Sequence, residues 1–193
     1  MGSFQIFAQP WWVNLLFLLP FIAYYFWRKQ GLKLTKEQLL WTALFGIAFG
    51  FVEAAVVVYL RAAIGLLPGY DGTLADVAKR SSIMYQHADI LAALPKSLFV
   101  VETIREAATM LMLIGVAFLA AKKKQERWAI YLWTFAFWDI FYYGWLYLIV
   151  RWPSSLLASD VLFLIPVPWI ARVWFPLLIS GLMIGVVLLT RKD

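Results

Sequence analysis

Several ionisable and polar residues lie inside long apolar stretches of the chain, where a charge is costly unless it has a partner or a function. They are Glu53, Glu102, Arg105, Glu106 and Asp139, with Tyr142 and Tyr143 about one helical turn beyond Asp139. The three residues between 102 and 106 have the i, i+3, i+4 spacing of a single helix face. We therefore predict a buried ligand-binding cluster made of these seven side chains.

The predicted cluster contains more carboxylates than cations, because Arg105 offsets at most part of the negative charge. In a low dielectric the excess has to be removed by protonation, by a bound cation or by a cationic ligand. The first hypothesis is therefore a site for a cation or a small polar ligand. The alternative is a structural network in which Arg105 and tyrosine hydroxyls satisfy the acids and hold the helices together.

A divalent or redox metal is one form that this cation can take, since carboxylate and imidazole are suitable ligands for transition metals. The predicted metal ligands are Glu53, Glu102, Glu106, Asp139 and His87, the single histidine of the chain. A redox metal would make the protein a small oxidoreductase, but the residue pattern defines no reaction and leaves open whether the protein is an enzyme.

Other chemistries lack their required residues. The chain has no cysteine, which excludes disulfides, thiolate metal sites and covalent c-type haem attachment. The sequence contains no His-Glu-x-x-His, Gly-x-Ser-x-Gly, Walker or Gly-x-Gly-x-x-Gly pattern. Zinc proteolysis, serine hydrolysis by that route and classical nucleotide binding are therefore unsupported.

Composition indicates that lipid surrounds most of the chain. Hydrophobic residues make up 64% of the sequence, well above the roughly 45–50% that is typical of soluble domains. The net charge of +6 comes from basic residues in short segments beside apolar stretches, where they face lipid headgroups rather than nucleic acid. We predict a multi-pass protein of the plasma membrane that does not bind nucleic acid.

The elements that position the cluster are predicted to be five transmembrane helices in one domain, residues 1–193, of the all-α class. The predicted spans cover residues 10–27, 39–66, 98–121, 128–150 and 169–190. Residues 67–97 are predicted to form an outer segment with an amphipathic interfacial helix. Residues 151–168, which include Pro166 and Pro168, are predicted to be an outer re-entrant or extended piece.

The distribution of basic residues predicts the orientation of this bundle. One side of the membrane would hold Arg28, Lys29, Lys33, Lys36, Lys122, Lys123, Lys124, Arg127, Arg191 and Lys192. The other side would hold Lys79, Arg80, Lys96 and Arg151. The excess of positive charge marks the cytoplasmic side, so the N-terminus is predicted outside and the C-terminus inside.

Three segments carry a resemblance to a known group: Trp138-Asp-Ile-Phe-Tyr-Tyr143, the stretch from Asp160 to Trp169, and Glu102-Thr-Ile-Arg-Glu106. In these segments, which imply similarity over most of the chain, the sequence resembles an uncharacterised family of small bacterial multi-pass membrane proteins. The resemblance implies the membrane fold and carries no activity.

Two further hypotheses belong to other functional classes. The small size and the small-residue faces at Gly46/Gly50 and Ser180/Gly181/Gly185 favour an accessory subunit that contacts other membrane subunits or a second copy of the chain. A proton-coupled carrier could use Glu106 or Asp139 as a relay, although the chain lacks the internal repeat that is common in transporters.

Overall fold

The computed structural model describes residues 7–63 and 96–192, with side chains up to Tyr59 in the first of these ranges. The described chain is mostly helical. Its elements in order are a 3-10 helix, Trp11–Phe17, α1 Leu18–Gln30, α2 Lys36–Ala63, α3 Lys96–Ala120, α4 Lys124–Val150, β1 Ser159–Phe163, β2 Trp169–Arg172 and α5 Trp174–Thr190.

Helix α4 is the central element, since it packs against α2, α3 and α5. Two of its tryptophans join it to α2 through hydrogen bonds: the indole N–H of Trp133 donates to Leu39 O and that of Trp145 donates to Ile47 O, both at 3.0 Å. Each bond satisfies a polar group that would otherwise be costly inside an apolar bundle. The α2–α4 pair is therefore held by directional bonds as well as by packing.

Two glycines of α2 allow its backbone to approach α4 closely. A Cβ atom at Gly46 would lie 2.7 Å from Thr134 O, and one at Gly50 would lie 2.9 Å from both Trp138 O and Tyr142 N. The small-residue face at Gly46/Gly50 is thus occupied within the chain itself. By contrast, a Cβ at Gly181 or Gly185 of α5 would meet nothing within 4 Å in the described chain.

The segment between α4 and α5 forms an antiparallel two-stranded sheet, with Asp160 opposite Ala171 and an irregularity between Val161 and Phe163. The N-terminal segment pairs with β2, because Gln9 and Ile170 exchange two backbone hydrogen bonds of 2.8 Å. We call this end of the bundle the hairpin end. The opposite end, where Leu32 pairs with Arg191, is called the basic end.

The first predicted span, residues 10–27, is divided into the 3-10 helix and α1, which begins at Leu18. Helices α2, α3 and α4 start two to four residues before the predicted spans. A capping box begins α2: Thr35 N donates to Gln38 Oε1 at 2.8 Å, and Gln38 N donates to Thr35 Oγ1 at 3.1 Å. The predicted outer interfacial helix falls in residues 64–95, outside the described residues.

The predicted helix over 169–190 was wrong at its beginning. Residues Trp169–Arg172 form strand β2, and α5 begins only at Trp174. Both pieces are apolar, so hydropathy alone does not separate them. The strand exists because its backbone pairs with β1 on one side and with Gln9 on the other, which are contacts distant in sequence.

Among residues 7–63 and 96–192, two helices are long and apolar enough to cross a membrane: Lys36–Tyr59, with a mean hydropathy of 1.9, and Lys96–Ala120, with 1.6. Helix α5 is also apolar, but its 17 residues are fewer than the roughly 20 that a helix needs to cross a bilayer. Helix α4 has 27 residues, yet its many tryptophans and tyrosines and its aspartate lower its hydropathy. These features identify a mostly helical chain with two candidate membrane spans.

Candidate functional site

An ion-pair network joins α2 to α3 toward the hairpin end. Arg105 Nη1 lies 2.6 Å from Glu53 Oε2, and Arg105 Nε lies 2.8 Å from Glu102 Oε2. The side chain of Arg105 is 25% exposed, that of Glu53 is 13% exposed and that of Glu102 is 10% exposed. The i, i+3 spacing of Glu102 and Arg105 brings them onto one helix face, and Arg105 can then use a second N–H to reach across to Glu53. This network brings together three of the predicted site residues.

Glu106, one residue after Arg105, makes a different contact. Its two carboxylate oxygens accept hydrogen bonds from the backbone N–H of Leu164, at 2.9 Å and 3.0 Å. Leu164 follows β1, so Glu106 ties α3 to the connection between the two strands. The side chain is 7% exposed, and this backbone contact stabilises a carboxylate that would otherwise lack solvation.

The fourth predicted acid, Asp139, faces the last helix rather than the ion-pair network. Its Oδ2 accepts a hydrogen bond of 2.9 Å from Ser180 Oγ of α5. One turn further along α4, the Tyr143 hydroxyl donates to Asp160 Oδ2 of β1, also at 2.9 Å. Asp160 is 8% exposed and is close enough to Asp139 for the two carboxyl groups to interact electrostatically.

The predicted cluster is therefore divided into three parts: the ion-pair network, the Glu106 contact and the Asp139–Ser180 pair. Of the two predicted tyrosines, Tyr143 is buried and bonded to Asp160, and the Tyr142 ring lies 5.0 Å from it between centroids. His87 lies outside the described residues. The acids share one end of the bundle, but Arg105 holds Glu53 and Glu102, the Leu164 N–H holds Glu106 and Ser180 holds Asp139.

A metal site of three protein ligands is not formed by the described residues. Within residues 7–59 and 96–192 no group of three or more histidine, aspartate or glutamate side chains is arranged to hold a metal ion. The predicted metal set of Glu53, Glu102, Glu106 and Asp139 is divided as described above, while its fifth member, His87, falls beyond that part of the chain. Metal binding at this site stays a prediction.

Two side chains that contribute to the site were not predicted as members. Asp160 lies in a strand that the sequence pattern did not indicate, so its inward direction could not be inferred from helical spacing. Ser180 was assigned to a small-residue face for a partner subunit, whereas its hydroxyl donates to Asp139. A signal was present in both cases, because each is a polar residue within an apolar stretch.

Acidic side chains are concentrated in this region, where Arg105 and Arg172 are partly buried basic residues. Five carboxyl groups lie on α2, α3, α4 and β1: Glu53, Glu102, Glu106, Asp139 and Asp160. Their partners include the Arg105 guanidinium, the hydroxyl groups of Tyr143 and Ser180, and the backbone N–H of Leu164. A carboxylate can accept several hydrogen bonds, so this arrangement can accommodate protons or bind a positively charged group.

The comparisons with known proteins add no relative. No family model, no curated protein and no solved structure matches the chain. The resemblance to uncharacterised bacterial multi-pass membrane proteins therefore stays a prediction, and the site has to be interpreted from its own geometry.

The Glu106 contact leads to a prediction that can be checked by hydrogen exchange. Replacing Glu106 by leucine removes the acceptor of the Leu164 N–H, and an unsatisfied buried donor costs about 1–3 kcal/mol. We expect the Leu164 amide to exchange roughly tenfold faster or more as the segment opens locally. Exchange followed by mass spectrometry on peptides that cover residues 159–168 measures this.

The matched control for this experiment is Glu106→Gln, which retains one side-chain oxygen as an acceptor. Its exchange rate is expected to lie close to that of the unchanged protein. Equal protection of Leu164 in the glutamine and leucine variants would contradict a role for Glu106 in holding the hairpin.

Proposed function

We propose that this chain is a multi-pass protein of the plasma membrane that binds a cation from the outer side. The cation would bind at the hairpin end, to the acidic cluster formed by Glu53, Glu102, Glu106, Asp139 and Asp160. In this proposal all five helices cross or enter the bilayer, the N-terminus is outside and the C-terminus is in the cytoplasm. The basic segments cluster at the basic end of the bundle, which supports this orientation by the positive-inside rule.

Lipid exposure is supported by the large apolar side chains that cover the outside of the bundle. Leu119 of α3 is 91% exposed, Leu189 of α5 is 78% exposed and Trp41 of α2 is 67% exposed. Monomeric soluble proteins rarely expose apolar patches of this extent, whereas a bilayer contacts them at no cost. At about 1.5 Å per residue, the 27 residues of α4 extend for about 40 Å, enough to cross the hydrocarbon core.

The observation that carries the functional proposal is the concentration of largely buried carboxyl groups at one end of the bundle. Five carboxyl groups share that end, and Arg105 pairs with two of them. Removing several carboxylates from water without cations is unfavourable. A bound positive charge would offset this cost, and it would be attracted by the summed field of the acids.

The separation of the acids favours a polyatomic cation over a bare metal ion. A metal ion needs several donor atoms within about 2.0–2.6 Å of one point, and no three acids of the described residues converge in this way. An ammonium or guanidinium group on a small organic molecule can donate hydrogen bonds in several directions. We therefore propose an organic amine as the preferred ligand class.

A thermal stability measurement tests this proposal. The full chain is placed in lipid nanodiscs and unfolded by heating in the presence of spermidine, agmatine, Zn²⁺ or Mn²⁺. A ligand that binds the folded state at 100 times its Kd stabilises it by about 2.7 kcal/mol, so a clear rise in Tm is expected with one of the two amines. Asp139→Asn, which removes the charge and keeps an acceptor for Ser180, is expected to abolish the rise.

The matched control is Glu37→Gln, which makes the same kind of change at an exposed acid in the first turn of α2, at the basic end. This variant should respond to the amine as the unchanged protein does. A rise in Tm with Zn²⁺ or Mn²⁺ alone, lost in His87→Gln, would replace the amine by a metal. No response to any of the four cations would overturn the binding proposal in favour of a structural network.

A further inference from the structure

We propose that a groove at the basic end binds one anionic phospholipid of the inner leaflet, with an acyl chain in the groove and the phosphate between Lys36 and Arg191. This inference concerns a different part of the molecule from the acidic cluster. It depends on the proposed membrane orientation and not on the cation site.

The groove lies between α2, α4 and α5 and has a volume of about 380 Å³. Its floor includes Trp133 and Phe137 of α4, and Leu40 and Leu188 line its open side. Leu40 and Leu188 are 55% and 51% exposed, so the groove opens toward the surroundings of the bundle and not into its interior. In a membrane this opening faces lipid.

The groove suits an acyl chain because its floor presents apolar surface. The indole N–H of Trp133, the polar group of that side chain, already donates to Leu39 O at 3.0 Å. Apart from Lys36, the side chains contributed by α2 are leucines, an alanine and an isoleucine. A hydrocarbon chain that fills such a groove gains dispersion contacts that an empty groove lacks.

The ends of the groove explain the choice of an anionic lipid. Lys36 and Arg191 line it at the basic end, where the chain crosses the predicted inner interface. Arg191 Nε donates to Leu34 O at 2.9 Å, which fixes the position of the guanidinium at the groove that Lys36 also lines. Glu37, the acid of the same turn as Lys36, is exposed and does not line the groove. Two cations above an apolar groove match a phosphate above an acyl chain.

Native mass spectrometry of the full chain tests the proposal. Protein is reconstituted with equal amounts of phosphatidylglycerol and phosphatidylcholine, extracted mildly and weighed with its bound lipid. We expect one retained phosphatidylglycerol, and we expect the preference for it to fall roughly fivefold for each basic residue that is removed. The variants are Lys36→Gln alone and Lys36→Gln combined with Arg191→Gln.

The matched control is the double variant Lys122→Gln, Lys124→Gln, which removes two exposed basic residues at the same end of the bundle. This control should retain the lipid preference. Because Arg191 also holds Leu34, Lys36→Gln alone keeps the test valid if the double variant at the groove does not fold. An equal loss in the Lys122/Lys124 control, an unchanged preference for phosphatidylglycerol in Lys36→Gln, or a dimer without retained lipid would overturn the proposal.

Discussion

Replacing Arg105 by methionine is expected to destabilise the folded protein by about 3 kcal/mol. The substitution leaves Glu53 and Glu102, 13% and 10% exposed, without the guanidinium that pairs with both. Breaking a buried ion pair by removing one partner is costly because an uncompensated charge stays behind. Unfolding in mixed micelles with increasing dodecyl sulfate, followed by tryptophan fluorescence, gives the change in free energy.

The control for this prediction removes the acids together with the cation. The triple variant Glu53→Gln, Glu102→Gln, Arg105→Met has no buried charge in the network and should recover most of the lost stability. Arg105→Lys should fall between the two, since a lysine presents one compact charge and lacks the fork that reaches both acids. If Arg105→Met were as stable as the unchanged protein, the network could not be the link between α2 and α3.

Most helices, and the pairing of Glu102 with Arg105 in the site, follow from short-range patterns in the sequence. The beginning of α2 is set by Thr35 and Gln38, which are three residues apart, and the pairing of Glu102 with Arg105 by a similar spacing. Such contacts depend on the geometry of a single helix turn. The close approach at Gly46 and Gly50 was also indicated by spacing, although the sequence did not name α4 as the neighbour.

The parts that the sequence did not predict depend on contacts between distant residues. Strand β2 is apolar like the helix that follows it, and its strand conformation depends on backbone bonds to β1 and to Gln9. Asp139 lies on α4, but helical spacing defines only the direction of its own side chain and not which helix it faces. Asp139 bonds to Ser180 of α5 and not to the ion-pair network, so the residues that had been predicted as one cluster form separate contacts.

Replacing Gly50 by alanine is expected to destabilise the protein by about 2–3 kcal/mol, at the upper end of the range for overpacking. The added methyl group would lie 2.9 Å from Trp138 O and from Tyr142 N. Both atoms belong to the α4 backbone, which cannot rotate away as a side chain does. The helices must separate, which weakens contacts such as the hydrogen bond from Trp145 to Ile47. The same micelle titration measures the loss.

The matched controls are Gly144→Ala in α4 and Gly181→Ala in α5, where an added Cβ meets nothing within 4 Å in the described chain. Alanine has a higher helix propensity than glycine by up to about 1 kcal/mol, so these variants should be neutral or slightly more stable. A loss as large as that of Gly50→Ala would show that the effect is not caused by crowding.

Since Glu53 lies one turn beyond Gly50 on α2, the α2–α4 spacing also sets the distance between Glu53 and the acids of α4. A folded Gly50→Ala protein should therefore bind the stabilising cation more weakly.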